Sequence, residues 1–351
     1  MEKQDTPTET SNSETKSIDK PTPQSKTTPK SSRKNLIILI VAVVVMLAAA
    51  TFCFLYFTKS WIFAEDSESS TNTDQTDLEP IFSKENYPKF DASTATQPLV
   101  MAFYKDFTGD TTAKTTDFGF TKTHQAYERL VKKQVDLIVV TQPSKDEFQL
   151  IADIGDEYVV TPVVAEGFVF FVNKDNPVNS ITVEQVQNIY TGAIKNWKDL
   201  GGQDLKIAPF QRPENSGSQT GMINLVMDGK ALMQPEREDL VIDDMFGLVA
   251  SVVTTFDNTQ SAIGYSYYYY VTTMYQDMDA DIANSVKLLH IDNVKPEPKT
   301  IQNGTYPFTT AYYIVTRKSD AGNESIQKLK DAMLSPRGQK VAEKAKYVPA
   351  K

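Results

Sequence analysis

Residues 35–57 read NLIILIVAVVVMLAAATFCFLYF, a run with no charged side chain. A stretch of this length can cross a hydrocarbon core as one helix, and it is too long and too uniformly apolar for a typical buried helix. It therefore divides the chain before any other feature is considered. Lys30, Arg33 and Lys34 crowd its N-terminal side, whereas Lys59 is followed by Asp66, Glu68, Asp74 and Asp77. The positive-inside rule then leaves the first residues in the cytoplasm and exports everything after about residue 58. The run is longer than the apolar core of a cleaved signal peptide, so it reads as an uncleaved anchor. The expected location is the cell membrane, single-pass, with a cytoplasmic N-terminus and an extracellular C-terminal domain.

Cysteine and charge follow the same division. The single cysteine, Cys53, lies inside the apolar run behind Phe52, which is not the small residue a lipidation site needs. The exported part has no cysteine, so it holds together without disulfides and offers no thiol nucleophile. The whole chain carries −9 and residues 1–34 carry +2, so the exported part carries −11. An acidic body of this kind argues against nucleic acid as a partner. Any anion site on it must be local, because the global field repels anions.

Residues 1–34 are rich in Thr, Ser, Pro and Lys and read as a disordered cytoplasmic tail. Residues 58–85 contain SESSTNTDQTD and read as a flexible linker. Fully extended, it would reach on the order of 90 Å at about 3.3 Å per residue. From about residue 86 the pattern alternates. LVMAFYKDF (99–107) is helix-like, and VDLIVVT (135–141) and EGFVFFVN (166–173) are buried-strand runs. VEQVQNIYTG (183–192) is a helix opened by a Thr182–Gln185 capping box and closed by Gly192. SAIGYSYYYYV (261–271) and TTAYYIVT (309–316) are aromatic, β-branched strand candidates, with Tyr267 to Tyr270 expected to alternate faces. IQKLKDAML (326–334) and GQKVAEKAK (338–346) look like closing helices. Strands mixed with helices predict an α/β fold with largely buried sheets.

Three hydroxyl-rich loops each run into a helix. RPENSGSQTG (212–221) precedes MINLVM. The first N–H groups of a helix lack internal partners and carry positive partial charge. Gly217 leaves them approachable, Ser216 and Ser218 add hydroxyl donors, and Arg212 adds a forked cation suited to a tetrahedral oxyanion, with Glu214 placed to hold the fork. The plain alternative is a serine N-cap on a surface helix with a solvated arginine. In DASTATQPLVMAFY (91–104), Ser93, Thr94 and Thr96 precede Pro98, which favours the first helical turn. In FTKTHQAYERLVKKQVDLIVVTQPSKDE (120–147), Thr121 and Thr123 precede a helix, the strand after it ends at Thr141, and Ser144 with Glu147 forms a capping box.

The order of these pieces resembles the phosphate-binding receptors of ABC transporters, within the type II periplasmic-binding-protein fold. DASTATQPL, VDLIVVTQPSKDE, VVAEGFVFFVNKDNPVNSITVEQVQNIYTGAIKNWKDLGG, RPENSGSQTG, SAIGYSYYYYV, NGTYPFTTAYYIV and MLSPRGQKVAEKAKYVPA match that family's blocks in order, from about residue 88 to the C-terminus. The resemblance implies a two-lobed protein with a ligand cleft, preceded by the transmembrane helix. Lobe one would be 86–165 plus 306–351 and lobe two 166–305, with chain crossings near Glu166 and Tyr306. It implies ligand contacts from Ser93, Thr94, Thr96, Thr123, Thr141, Arg212, Ser216, Gly217 and Ser218. The implied partners are inorganic phosphate or a similar oxyanion and ABC permease subunits, with no cofactor.

Two positions depart from the family pattern. Phosphate-specific members carry an aspartate where this chain has Thr141, which is a weaker discriminator than a charge. The second loop is usually glycine-rich, and here THQAY places His124 and Gln125 beside the helix start. Trp197 reads as a core or hinge anchor, and His290 has no evident partner. No nucleophile–base pair, HExxH or Walker loop occurs, so the chain does not read as an enzyme. The expectation is a membrane-anchored extracellular phosphate receptor. The alternative is a phosphate-binding-like sensor or envelope protein with an altered pocket and no transport role.

Overall fold

The computed structural model describes residues 79–350. The expected tail (1–34), the membrane run (35–57) and residues 58–78 of the expected linker lie outside the described residues. Among the described residues no helix is long and apolar enough to cross a membrane. Packed structure begins before residue 86: the amides of Ile81 and Phe82 both donate to the Phe107 carbonyl, at 2.7 and 3.0 Å, and Phe82 is buried.

Among the described residues ten strands occur in order: β1 (Phe90–Ala92), β2 (Leu137–Val140), β3 (Tyr158–Asn173), β4 (Ser180–Ile181), β5 (Lys206–Pro209), β6 (Gln260–Tyr267), β7 (Val286–Leu288), β8 (His290–Ile291), β9 (Thr309–Arg317) and β10 (Val348–Pro349). The main sheet runs β1-β2-β9-β3-β6-β5, with β7 and β10 also paired to β3, while β4 and β8 form a separate pair. The β1–β2 and β5–β6 pairs are parallel, and β9 and β6 run antiparallel to β3.

Strand β3 organises this sheet. It begins at Tyr158, earlier than the apolar run alone suggests, and its 16 residues span about 50 Å at roughly 3.3 Å per residue. Tyr158 to Gly167 pair with β9, Phe168 to Phe171 with β6, and Phe171 to Asn173 with β7. One strand thus serves two halves of the sheet, changing partners at Gly167–Phe168. Pro162 has no N–H to give, and the β3–β9 register shifts between Pro162 and Val164, the irregularity a proline inside a strand demands.

The core follows the apolar periodicities. In α1 (Gln97–Thr108), Leu99, Val100, Met101, Phe103, Tyr104 and Phe107 are buried, and Gly109 ends the helix at φ 73°. All four residues of β2 are buried. Leu137 and Val139 face the main core, whereas Ile138 and Val140 face a second cluster with Tyr127 and Leu130 of α2 (Thr123–Val131). The capping boxes form as the sequence predicts, Ser144–Glu147 on α3 (Lys145–Ala152) and Thr182–Gln185 on α4 (Val183–Tyr190). Trp197 is buried, and its indole N–H donates to the Ser261 carbonyl at 2.8 Å, which makes it a core anchor. His290 lies in β8.

The tyrosine run corrects the strand expectation. β6 stops at Tyr267, and Tyr270–Met274 winds as a π-helix that continues into Tyr275–Met278. Tyr267, Tyr269 and Tyr270 are all buried, so the faces do not alternate. Tertiary packing overrides the β propensity of tyrosine here. The Tyr269 ring stacks on Tyr347 with centroids 3.7 Å apart, and its amide donates to the buried carboxyl of Glu166 at 3.3 Å.

Candidate functional site

Three loops converge on one cavity of about 600 Å³. The first follows β1. The Ser93 amide donates to Val139 O, extending the β1–β2 ladder by one bond. Ser93 and Thr94 line the cavity, but Thr96 does not. The Thr96 hydroxyl donates to the Val139 carbonyl at 2.5 Å and lies 2.9 Å from the Ser93 hydroxyl. Its place in the structure is to lock this loop onto β2.

The second loop enters α2. Thr123, His124 and Gln125 line the cavity, with Lys122 just ahead of them. The loop is tied down by Asp91 of β1, a fully buried carboxylate whose role no local pattern reveals. Asp91 accepts from the amide and hydroxyl of Thr121 at 3.0 and 2.7 Å and from Arg129 Nη1 at 2.6 Å. Thr121 is therefore occupied in holding two loops together. From the second turn of α2, Tyr127 OH donates to Thr141 O at 2.8 Å, which fixes the end of β2. The Thr141 side chain lines the cavity, and its buried hydroxyl forms no hydrogen bond within the protein. His124 Nδ1 lies 3.2 Å from Oε1 of the buried Glu147. Burial raises the Glu147 pKa, and the hydrogen bonds from Ser144 and His124 oppose the rise.

The third loop follows β5. Asn215 adopts φ 61°, and Ser216 caps the short helix α5 (Gly217–Gly221) by accepting from the Gln219 amide at 3.3 Å. Ser216, Gly217 and Ser218 line the cavity. A Cβ at Gly217 would lie 2.7 Å from Thr141 Oγ1 and 2.8 Å from Thr123 Oγ1, so this backbone meets the other two loops at contact distance. Asn215 also donates to Asp146 of α3 at 2.9 Å, and Tyr267 OH donates to Gly217 O at 3.0 Å.

Arg212 is the central charge. It is only 7% exposed, so the cation is largely withdrawn from water. Nε donates to Ile242 O at 2.7 Å and Nη2 to Asp243 O at 2.8 Å, while Nη1 stands 3.4 Å from Ser218 Oγ. Backbone carbonyls some thirty residues ahead hold the fork, and Glu214, expected in that role, makes no ion pair with it. Among the described residues Arg212 forms no salt bridge with any carboxylate. Burial lowers its pKa from the usual value, and Tyr265, Asp244 and Asp243 are among the groups that pull the other way. A buried guanidinium with no direct carboxylate partner and an unpartnered buried hydroxyl on the same cavity wall leave donors free for a ligand.

The cavity wall thus brings together Ser93, Thr94, Thr123, Thr141, Arg212, Ser216, Gly217 and Ser218. It also includes Tyr270 of the tyrosine run and Met245, Phe246 and Met278, which no sequence motif marks.

Comparison with known proteins agrees with the fold. The chain is 32% identical over 160 residues to the phosphate-binding protein PstS of Bacillus subtilis, covering 46% of this chain and 47% of that one. It is 26% identical over 267 residues to PstS of Staphylococcus saprophyticus, covering 74% of this chain and 79% of that one. Among solved structures, it resembles a Clostridium perfringens protein with bound phosphate, at a TM-score of 0.56 and 23% identity, over 75% of this chain and 98% of the other. An ABC-type phosphate transport receptor from Vibrio cholerae matches at a TM-score of 0.54 and 20% identity, over 74% and 98% of the two chains. Residues 70–337 match the family model of the PBP superfamily domain. With a two-lobed α/β fold and a match over most of its length, the chain belongs to the PBP superfamily.

Proposed function

We propose that this chain is a membrane-anchored extracellular receptor that captures inorganic phosphate, or a similar oxyanion, and delivers it to an ABC permease. The binding site in this reading is a cleft between lobe one (86–165 plus 306–351) and lobe two (166–305), with residues 35–57 as the anchor. The observation that carries it is Arg212, a buried cation held by two carbonyls and left without a carboxylate. An anion seated there would receive charge-assisted bonds from the guanidinium and hydroxyl bonds from Ser218, Thr141 and Thr123. Ser93, Thr94, Ser216 and Gly217 would complete the cradle, with Thr96 positioning the first loop. Because the contacts come from loops on both halves of the sheet, binding would favour the closed arrangement. The names of the curated relatives, PstS phosphate-binding proteins, support the same ligand.

Selection between phosphate and sulfate needs an acceptor for the phosphate proton. Thr141 supplies no charge for this. His124 on the cavity wall would offer one if its neutral ring donates from Nδ1 to Glu147, which would leave Nε2 to accept. Calorimetric titration of the full chain with phosphate and with sulfate tests the reading. Heat with phosphate is expected, and no heat with either anion would overturn it. Thr141 also favours a second reading, a sensor or envelope protein with an altered pocket. In that case deletion of the chain would leave phosphate uptake by the cell unchanged.

A further inference from the structure

The cavity is larger than an oxyanion needs. A volume of about 600 Å³ falls in the range of pockets that hold small organic molecules. A phosphoryl group in the Arg212 corner would fill a small part of it.

What lines the remainder is chemically different. Met245, Phe246, Tyr270 and Met278 share the cavity wall, and Phe246 and Met278 are 39% and 50% exposed. The apolar region starts directly beside the oxyanion corner, because Ser218 Oγ lies 3.3 Å from Met245 Sδ. It is also well braced. The Phe246 ring stacks on Tyr275 at 5.1 Å, Tyr275 OH donates to Phe246 O at 3.3 Å, and Tyr275 in turn packs on Tyr270. The segment that bears Met245 and Phe246 is continuous with the Ile242 and Asp243 carbonyls that hold Arg212. The apolar wall therefore adjoins the segment that holds the guanidinium, while the Phe246 ring itself packs on Tyr275. Methionine beside aromatic rings makes an adaptable apolar surface that also accepts cations.

Charge narrows the class. Glu214, Asp243 and Asp244 line the same cavity, against Lys122 and Arg212. A second anionic group on the ligand would meet these carboxylates, whereas an uncharged or cationic group would not be repelled.

We infer that the cavity takes a phosphomonoester or phosphonate, with the phosphoryl group at Arg212 and an uncharged or cationic organic substituent against Met245, Phe246, Tyr270 and Met278. This rests on the oxyanion reading above and extends it to the rest of the ligand. The test is calorimetric titration of the full chain with inorganic phosphate, phenylphosphonate, phosphocholine and phosphoglycolate. Phenylphosphonate and phosphocholine should bind within about threefold of phosphate or tighter, and phosphoglycolate about tenfold more weakly than they do. Phe246→Ala should weaken the two substituted ligands about three- to tenfold and leave inorganic phosphate within about twofold, as removal of apolar contact alone predicts. Met278→Ala, at a more exposed position, should act in the same direction. Phosphate binding with weaker binding of the substituted pair, or an equal effect of Phe246→Ala on phosphate, overturns this inference and leaves the oxyanion reading standing. Failure of every compound, phosphate included, removes both.

Discussion

Gly217 lies so close to Thr141 that a single added carbon at 217 would stand 2.7 Å from the threonine hydroxyl. The φ of Gly217 is not positive, so space and not backbone conformation requires glycine here. The added methyl of Gly217→Ala must push the third loop away from Thr141 and Thr123. Overpacking of this kind costs about 1–3 kcal/mol, and movement of the loop relieves part of it. We expect phosphate affinity to fall by about tenfold or more, the larger share of that strain appearing in binding. Adding Thr141→Ala should recover part of the lost stability, and a double-mutant cycle on melting temperature measures the coupling. Strict additivity would show that the two residues do not meet.

The Thr141 hydroxyl itself separates structure from binding. It is buried and makes no hydrogen bond within the protein. Leaving such a group unpaired costs about 1–3 kcal/mol. Thr141→Val keeps the shape and removes that cost, so the ligand-free protein should melt at the same temperature or higher. Phosphate affinity should drop about three- to tenfold, the scale of one neutral hydrogen bond. Paired melting and titration curves check both halves. A lower melting point with unchanged affinity would mark the hydroxyl as structural.

Removing the guanidinium should have a different signature. Arg212→Ala leaves Ile242 O and Asp243 O without their donors but also removes a buried charge, and these effects oppose each other. The ligand-free melting temperature should therefore shift little. Phosphate binding should weaken by roughly 1.5–3 kcal/mol or more, the scale of a charged hydrogen bond. The rise in melting temperature expected when phosphate is added to the parent chain should largely disappear. Arg212→Lys should not rescue it, because one ammonium cannot hold two carbonyls and reach an anion with a planar fork. Retention of the full phosphate-dependent rise in Arg212→Ala would place the site elsewhere.

The helices and their caps were the most legible parts of the chain, because their signals are local. Thr182 with Gln185 and Ser144 with Glu147 form the boxes that their spacing predicts. The hydroxyl-rich loops were legible for the same reason. Which hydroxyl faces the cavity was not, since that depends on residues far away in sequence. Thr96 is turned to Val139 O, forty-three residues ahead. The fork of Arg212 is held from Ile242 and Asp243 rather than by nearby Glu214. The end of β6 at Tyr267 was hidden as well, because the following tyrosines carry strand propensity while their packing on Tyr347 and Glu166 requires a helical turn. Met245, Phe246 and Met278 carry no motif, and only the folded chain places them beside Ser218.

Glu166 gives the fold a pH dependence whose sign can be worked out. It sits where β3 leaves β9 for β6, is buried, and accepts from the amides of Gly167 at 2.8 Å and Tyr269 at 3.3 Å. Desolvation raises its pKa from 4.5 to about 8, against the hydrogen bonds that favour the anion. The folded chain therefore keeps a proton that the unfolded chain releases above about pH 4.5. Between that pH and about 8 the folded state binds more protons, so stability falls as pH rises. The contribution is full below about pH 4.5 and lost once the pH has passed about 8. The shift corresponds to at most roughly 4–5 kcal/mol, because the site can relax when the carboxyl ionises. Glu166→Gln mimics the neutral carboxyl and still accepts from both amides. The variant should match the parent chain near pH 5 and exceed it by a few kcal/mol at pH 8 to 9, on the scale of that shift. Urea denaturation at pH 5, 6.5 and 8 measures the difference directly. Parallel pH profiles for the two proteins would show that Glu166 is already ionised in the fold.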